Sequence, residues 1–156
     1  MTTNLIRPSP GRRGCYVRFL PLTLRWMDND VFGHVNNAHY YSLFDTAVCE
    51  FLVGRGVLTW GGGTHYMVVA ESGCRYHSEV AFPDPVVAGL RVERLGERSV
   101  RYEIGVFRGD DELASAEGFM VHVRQRRDAA AGAHAGALAG DVADSVGWRV
   151  NDGSWA

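Results

Sequence analysis

The chain has 156 residues, a formal net charge of −2 and a hydrophobic share of 46%, enough to build one domain around its own core without metals or disulfides. That balance of charge lacks the basic excess of a general nucleic-acid binder, so no nucleic-acid partner is expected. The three cysteines, Cys15, Cys49 and Cys74, are odd in number and hold no C-x-x-C pair, which argues against a zinc site or redox couple and for reduced thiols in a cytoplasmic protein.

Residues 1–15 read as a flexible arm, because Pro8, Pro10, Gly11 and Gly14 interrupt any regular pattern. The arm has no apolar stretch that could serve as a signal peptide. No later run reaches the roughly 18 consecutive apolar residues of a membrane span, so a soluble protein without a membrane partner is expected. From Val17 to Trp26, the residues Leu20, Leu22, Leu24 and Trp26 alternate with more polar positions, the pattern of a strand with one buried face. Pro21 lacks an amide donor and puts that strand at an edge or at an irregularity.

Met27 to Asn37 is a loop of short polar side chains and a glycine. The next segment carries Tyr40, Leu43, Phe44, Ala47, Val48, Phe51 and Leu52 at steps of three, one, three and one, a single helical stripe. Asn36 or Asn37 can cap its start and Gly54 or Gly56 can end it. Thr59 to Thr64, with three consecutive glycines, reads as a mobile connection. Strands are predicted over Tyr66 to Glu71, Cys74 to Phe82, Val86 to Leu95, Ser99 to Arg108 and Leu113 to Gln125, with Gly109 to Glu112 as a hairpin turn. One long striped helix and a run of antiparallel strands describe an α+β domain over residues 16–127, the sheet covering the helix. Residues 128–156 form an Ala/Gly-rich tail, expected to be disordered.

The chemistry concentrates between the first strand and the helix. Asp28 and Asp30 stand a few residues before a helix N-terminus, whose unpaired N–H groups and dipole favour developing negative charge. An aspartate there could act as general base on water or attack a carbonyl itself. By spacing alone, an Asp-x-Asp in such a loop is more often turn chemistry. No further acidic residues cluster to complete a Mg²⁺ or Ca²⁺ shell, and His34 and His39, five apart, miss the spacing of paired zinc ligands; no metal is expected. No G-x-S-x-G elbow occurs, and Gly61-Gly62-Gly63 lacks the spacing and following Lys of a phosphate cradle.

The run Arg25-Trp26-Met27-Asp28-Asn29-Asp30-Val31-Phe32-Gly33-His34-Val35-Asn36-Asn37-Ala38-His39-Tyr40 resembles the R-W-x-D-x-D-x-x-G-H-V-N-N-x-x-Y signature of hotdog-fold acyl-CoA thioesterases of the 4-hydroxybenzoyl-CoA thioesterase-like family. The order of helix, glycine-containing connection and strands resembles the same family as far as about Arg124. The resemblance implies a hotdog fold, one long central helix wrapped by a five- to six-stranded antiparallel sheet, and hydrolysis of acyl-CoA to a free carboxylic acid and CoA without a cofactor. It implies Asp30 as the catalytic carboxylate, base or nucleophile, and the backbone N–H of Asn37, or else Asn36, as the donor that polarises the thioester carbonyl.

Asp28 is then a loop-shaping neighbour, and His34 organises the loop with a secondary part in the site. Tyr40 and Tyr41 lie close enough to the helix start to touch an acyl group, and Glu71 is a candidate auxiliary carboxylate. The resemblance further implies a homodimer or homotetramer with the acyl-CoA site between subunits. The phosphates of CoA call for basic residues, for which Arg124, Arg126 and Arg127 form the best cluster and Arg75 a weaker addition. Two rival functions keep the fold: a hotdog hydratase or dehydratase acting on acyl thioesters, and a catalytically silent acyl-CoA-binding protein.

Overall fold

The computed structural model describes residues 8–58 and 65–126; the Thr59 to Thr64 connection, Arg127 and the Ala/Gly-rich tail lie outside the described residues. Five strands, β1 (Arg18–Leu22), β2 (His65–Tyr76), β3 (Val86–Leu95), β4 (Ser99–Arg108) and β5 (Ala116–Arg126), form one sheet in the order β1-β3-β4-β5-β2. Every neighbouring pair is antiparallel. One helix, α1 (His39–Gly54), follows β1 in the chain and lies against one face of the sheet.

The predicted stripe is the buried one: Tyr40, Leu43, Phe44, Ala47, Val48, Phe51 and Leu52 are all buried. It meets the inward residues that alternate along the strands, Ala88, Leu90 and Val92 of β3, Tyr102, Ile104 and Val106 of β4, and Ala116 and Met120 of β5. The central strand β4 is the most enclosed, with Val100, Tyr102, Ile104, Val106 and Phe107 at 0% exposure. This is the hotdog architecture expected, a helix wrapped by five strands. α1 ends where Gly56 N–H bonds Val53 O and Val57 N–H bonds Leu52 O, both at 3.0 Å, the paired bonds that close a last turn.

Several element boundaries differ from the sequence reading. The first strand stops at Leu22, and Trp26–Asp28 is a single 3₁₀ turn, because the Asp28 side chain folds back onto Arg25. Trp26, expected on a buried strand face, is 80% exposed. The two strands expected over Tyr66 to Glu71 and Cys74 to Phe82 are one strand, β2, which pairs with β5 along its whole length and absorbs an irregularity between Val69 and Glu71. Beyond Tyr76 the chain leaves the sheet, with His77 N–H and Ser78 N–H both bonded to Ser115 O at 2.8 and 3.0 Å. β1 is an edge strand, where Pro21 costs no ladder bond. Within the segment expected as an arm, Arg13 N–H donates to Glu112 O at 2.8 Å and Ala114 N–H donates to Gly11 O at 2.9 Å. That segment therefore runs beside the β4–β5 hairpin.

Phe44 sits over Gly118 of β5, where an added Cβ would overlap the Phe44 ring. Gly118→Ala is expected to cost about 1–3 kcal/mol by overpacking, and Phe44→Ala about 3–5 kcal/mol by leaving a cavity. Both are read as a lower urea midpoint at unchanged slope.

Candidate active site

The loop after β1 is built on Asp28. The residue is 4% exposed; Oδ2 accepts the Arg25 N–H at 2.7 Å, and Oδ1 accepts Arg25 Nε and Nη2 at 3.0 and 2.7 Å. The hydrogen bonds from the Arg25 side chain hold this carboxyl below the usual carboxylate range against the opposing effect of burial. The Asp28 carbonyl in turn accepts the Asn36 N–H at 2.8 Å, closing the loop at its far end. Two further bonds fasten it to the segment before β3: Val35 N–H to Val80 O at 2.8 Å and Phe82 N–H to Asn29 Oδ1 at 3.1 Å.

Asp30 sits on the outer turn of this frame. Its N–H donates to His34 O at 2.8 Å, its carbonyl accepts the Gly33 N–H at 3.1 Å, and Oδ1 accepts the Phe32 N–H at 2.8 Å. Gly33 closes the turn at φ +86°, a backbone region that side chains disfavour. Oδ2 has no partner among the described residues. Asp30, Asn36 and Asn37 line one open cleft of ≈ 800 Å³. Trp26, Met27, Val31 and Phe32, 80%, 67%, 94% and 78% exposed, form its apolar rim.

The helix start separates the two asparagines. Asn36 is consumed by structure: its N–H goes to Asp28 O, its side-chain Oδ1 accepts the Ala38 N–H at 2.9 Å, and its carbonyl accepts the His39 N–H at 2.9 Å. It thus caps the lead-in turn, whereas Ala38, at the cap position itself, has no side-chain bond. In a trans peptide the N–H points opposite to the C=O. With Asn36 O turned toward His39, the Asn37 N–H points away from the helix, and it has no acceptor among the described residues. On the other side of Asn37, its carbonyl accepts the hydroxyl of Tyr76 at 3.0 Å.

The remaining predicted residues divide. Tyr40 is buried against Phe44 and Tyr76, with ring centroids 5.1 Å apart for the Tyr76 pair, and Tyr41 is half-buried against Phe44. His34 lies outside the cleft lining, its Nε2 3.2 Å from Glu79 Oε2. Glu71 is exposed, 4.0 Å from Arg101. Arg75 borders a separate hollow with Glu103, Glu117 and Phe119, residues that alternate onto the sheet face away from α1. Arg124 and Arg126 pair with Met67 and His65 at the start of β2, whereas Asn37 meets Tyr76 at its end. These ends stand roughly 30 Å apart in a strand of this length. A single chain does not bring Arg124 to Asp30. Among the described residues no group of three or more His, Cys, Asp or Glu could hold a metal ion, and no helix is long and apolar enough to cross a membrane.

Sequence reasoning missed Tyr76 and the apolar rim. Nothing local marks Tyr76, since its contact with Asn37 spans 39 positions; the rim residues were visible but read as strand and loop. A carboxyl held low in the fold stabilises it above its unfolded pKa of about 4 and loses that contribution as pH falls through the folded value. Asp28→Asn is therefore expected to lower Tm at neutral pH, with the gap to wild type closing as pH falls below about 4. A gap that stays constant through acid would show that the charge of Asp28 does not hold the loop.

The Thioesterase superfamily model matches residues 32–115, beginning two positions after Asp30. The PA5185 protein from Pseudomonas aeruginosa strain PAO1 has 42% sequence identity and a TM-score of 0.82, over 88% of this chain and 94% of that one. A thioesterase superfamily protein from Jannaschia sp. CCS1 is 26% identical with a TM-score of 0.71, over 82% and 80% of the two chains. The DHNA-CoA thioesterase from Staphylococcus aureus shares the fold, with a TM-score of 0.64 at 18% identity over 71% and 75%. No curated protein sequence matches the chain. The helix, the five-stranded sheet and the family match agree, and the chain belongs to the hotdog-fold thioesterase superfamily.

Proposed function

We propose that this protein hydrolyses the thioester bond of an acyl-CoA, with Asp30 as general base or nucleophile and the Asn37 N–H as oxyanion donor. The observation that carries the reading is the meeting of Asp30 and Asn37 on one cleft at the helix start. In the base route Asp30 takes a proton from water as the C–O bond forms at the thioester carbon. Negative charge then collects on the carbonyl oxygen, where the Asn37 N–H and the positive end of α1 stabilise it. The C–S bond breaks, and the CoA thiolate leaves to be protonated. In the nucleophile route the Asp30 carboxylate attacks the carbonyl carbon, the C–S bond breaks as the CoA thiolate leaves, and water hydrolyses the resulting anhydride to free acid and the restored Asp30 carboxylate.

The apolar rim suits an acyl group, and Asn37 is favoured over Asn36 because the Asn36 N–H is spent on Asp28. A hydratase or dehydratase would need a histidine aimed at the acyl carbons; His34 is paired with Glu79 outside the cleft lining.

The reading includes a dimer. β2 is a sheet edge with Val68 and Val69 exposed on it. Antiparallel pairing of two such edges sets the His65 end of one chain beside the Tyr76 end of the other. Arg124 would then reach the neighbour's cleft, where CoA phosphates need cations; Arg126 and Arg127 follow it in the chain. Light scattering is expected to give a dimer or a tetramer, and a monomer at working concentration would remove this part.

The main test is thiol release from short, medium, long and aromatic acyl-CoA substrates. Asp30→Asn is expected to lower kcat by about 10²–10⁴-fold with the fold and assembly intact. Near-normal turnover in that variant overturns Asp30. Enoyl absorbance changing without thiol release would favour the hydratase. Binding without turnover would favour a silent acyl-CoA-binding protein.

A further inference from the structure

Asn37 is held from two sides, and the second hold comes from β2. On the near side, the peptide between Asn36 and Asn37 is aimed by the His39 N–H bond to Asn36 O. On the far side, the Tyr76 hydroxyl donates to Asn37 O at 3.0 Å. Tyr76 is itself well anchored for this. Its backbone pairs with Ala116 as the last rung of β2 with β5, and its ring meets Tyr40 of α1 edge-on at 5.1 Å and 74°. Burial, then the neighbouring Cys74, push its hydroxyl above the ordinary tyrosine range, so it stays protonated and able to donate wherever the enzyme works.

From this geometry we infer that Tyr76 is a positioning residue for the reaction: its hydroxyl fixes the backbone of Asn37 and so aims the Asn37 N–H at the thioester carbonyl. The inference rests on the proposed role of Asn37 as oxyanion donor. Such a donor works through preorganisation, because its direction is set before charge develops. The Asn37 N–H direction depends on the backbone angles around Asn36 and Asn37, and a carbonyl released on the far side widens the range they sample. Tyr76 touches neither water nor substrate in this role and supplies no proton.

Tyr76→Phe keeps the ring against Tyr40 and removes only the hydroxyl. In the full chain it is expected to lower kcat about tenfold, less than the 10²–10³-fold loss of a whole oxyanion donor. KM, and the Kd of an acyl-CoA thioether that cannot be hydrolysed, should stay within about twofold, since neither depends on stabilising the oxyanion. Amide exchange at Ala38 and His39, whose N–H groups bond Asn36, should quicken relative to the rest of α1. A loss confined to KM and thioether binding, or unchanged exchange at Ala38 and His39, would overturn the inference. Full kcat in Tyr76→Phe while Asp30→Asn is inactive would overturn the Tyr76 role and leave the proposed function standing. A wild type that releases no thiol from any acyl-CoA would overturn both.

Discussion

The packing of α1 on the inner face of the sheet is the constraint on which the site depends. A single helix must cover the inward residues of several strands, so its position along the sheet is set by where a large side chain finds room. Phe44 finds it over Gly118, with Ala47 and Val48 following toward Leu52 and the far end of the sheet. Because α1 is rigid, that contact also fixes where its first turn stands, one turn before Phe44 and next to Tyr76 at the end of β2. The Asn37 backbone therefore occupies a place decided by core packing rather than by the loop that precedes it.

The loop itself shows how one residue type takes two roles two positions apart. Asp28 is buried, accepts three bonds from Arg25 on its two carboxylate oxygens and a further one from the Asn36 N–H on its carbonyl. A carboxylate so paired is a poor base, because its negative charge is already stabilised. Asp30, on a tight turn closed by Gly33, gives one oxygen to Phe32 N–H and turns to an open cleft. The bonds that Asp28 makes hold the loop, so that Asp30, only half-buried, is not loosely placed.

Among the described residues, the apolar rim around Asp30 and the outer edge of β2 are uncovered in a single chain. An unpaired edge strand bearing Val68 and Val69 is a surface that folded proteins cover or pair. Under the proposed pairing of two such edges, Arg124, at the far end of β2 from the cleft of its own chain, faces the cleft of its neighbour. On the opposite face of the sheet the character changes. There Tyr16, Glu117 and His77 form a hydrogen-bonded group, with Tyr16 Oη 3.1 Å from Glu117 Oε1 and His77 Nε2 2.8 Å from Glu117 Oε2, which fastens the segment before β1 to β5.

The sequence by itself determined the helix, because the stripe from Tyr40 to Leu52 needs only the helical period to be read. It also determined β3 and β4, whose alternating side chains match their observed bounds. The span from Arg25 to Tyr40 was specific enough to indicate family and fold, and it made Asp30 the candidate carboxylate. The separation of Glu71 and Arg124 from the cleft was beyond it, because where a strand residue stands relative to another element follows from sheet order and register. So was the union of two expected strands into β2, where pairing with β5 overrides the turn tendency of Ser72-Gly73. The difference between Asn36 and Asn37, identical and adjacent, appeared only in tertiary structure: one N–H is spent on Asp28 and the other left open, while Tyr76 reaches across 39 residues to hold the backbone between them and the helix. Periodicity and short motifs are local properties that a chain carries before it folds, whereas hydrogen-bond partners distant in sequence exist only once packing has brought them together.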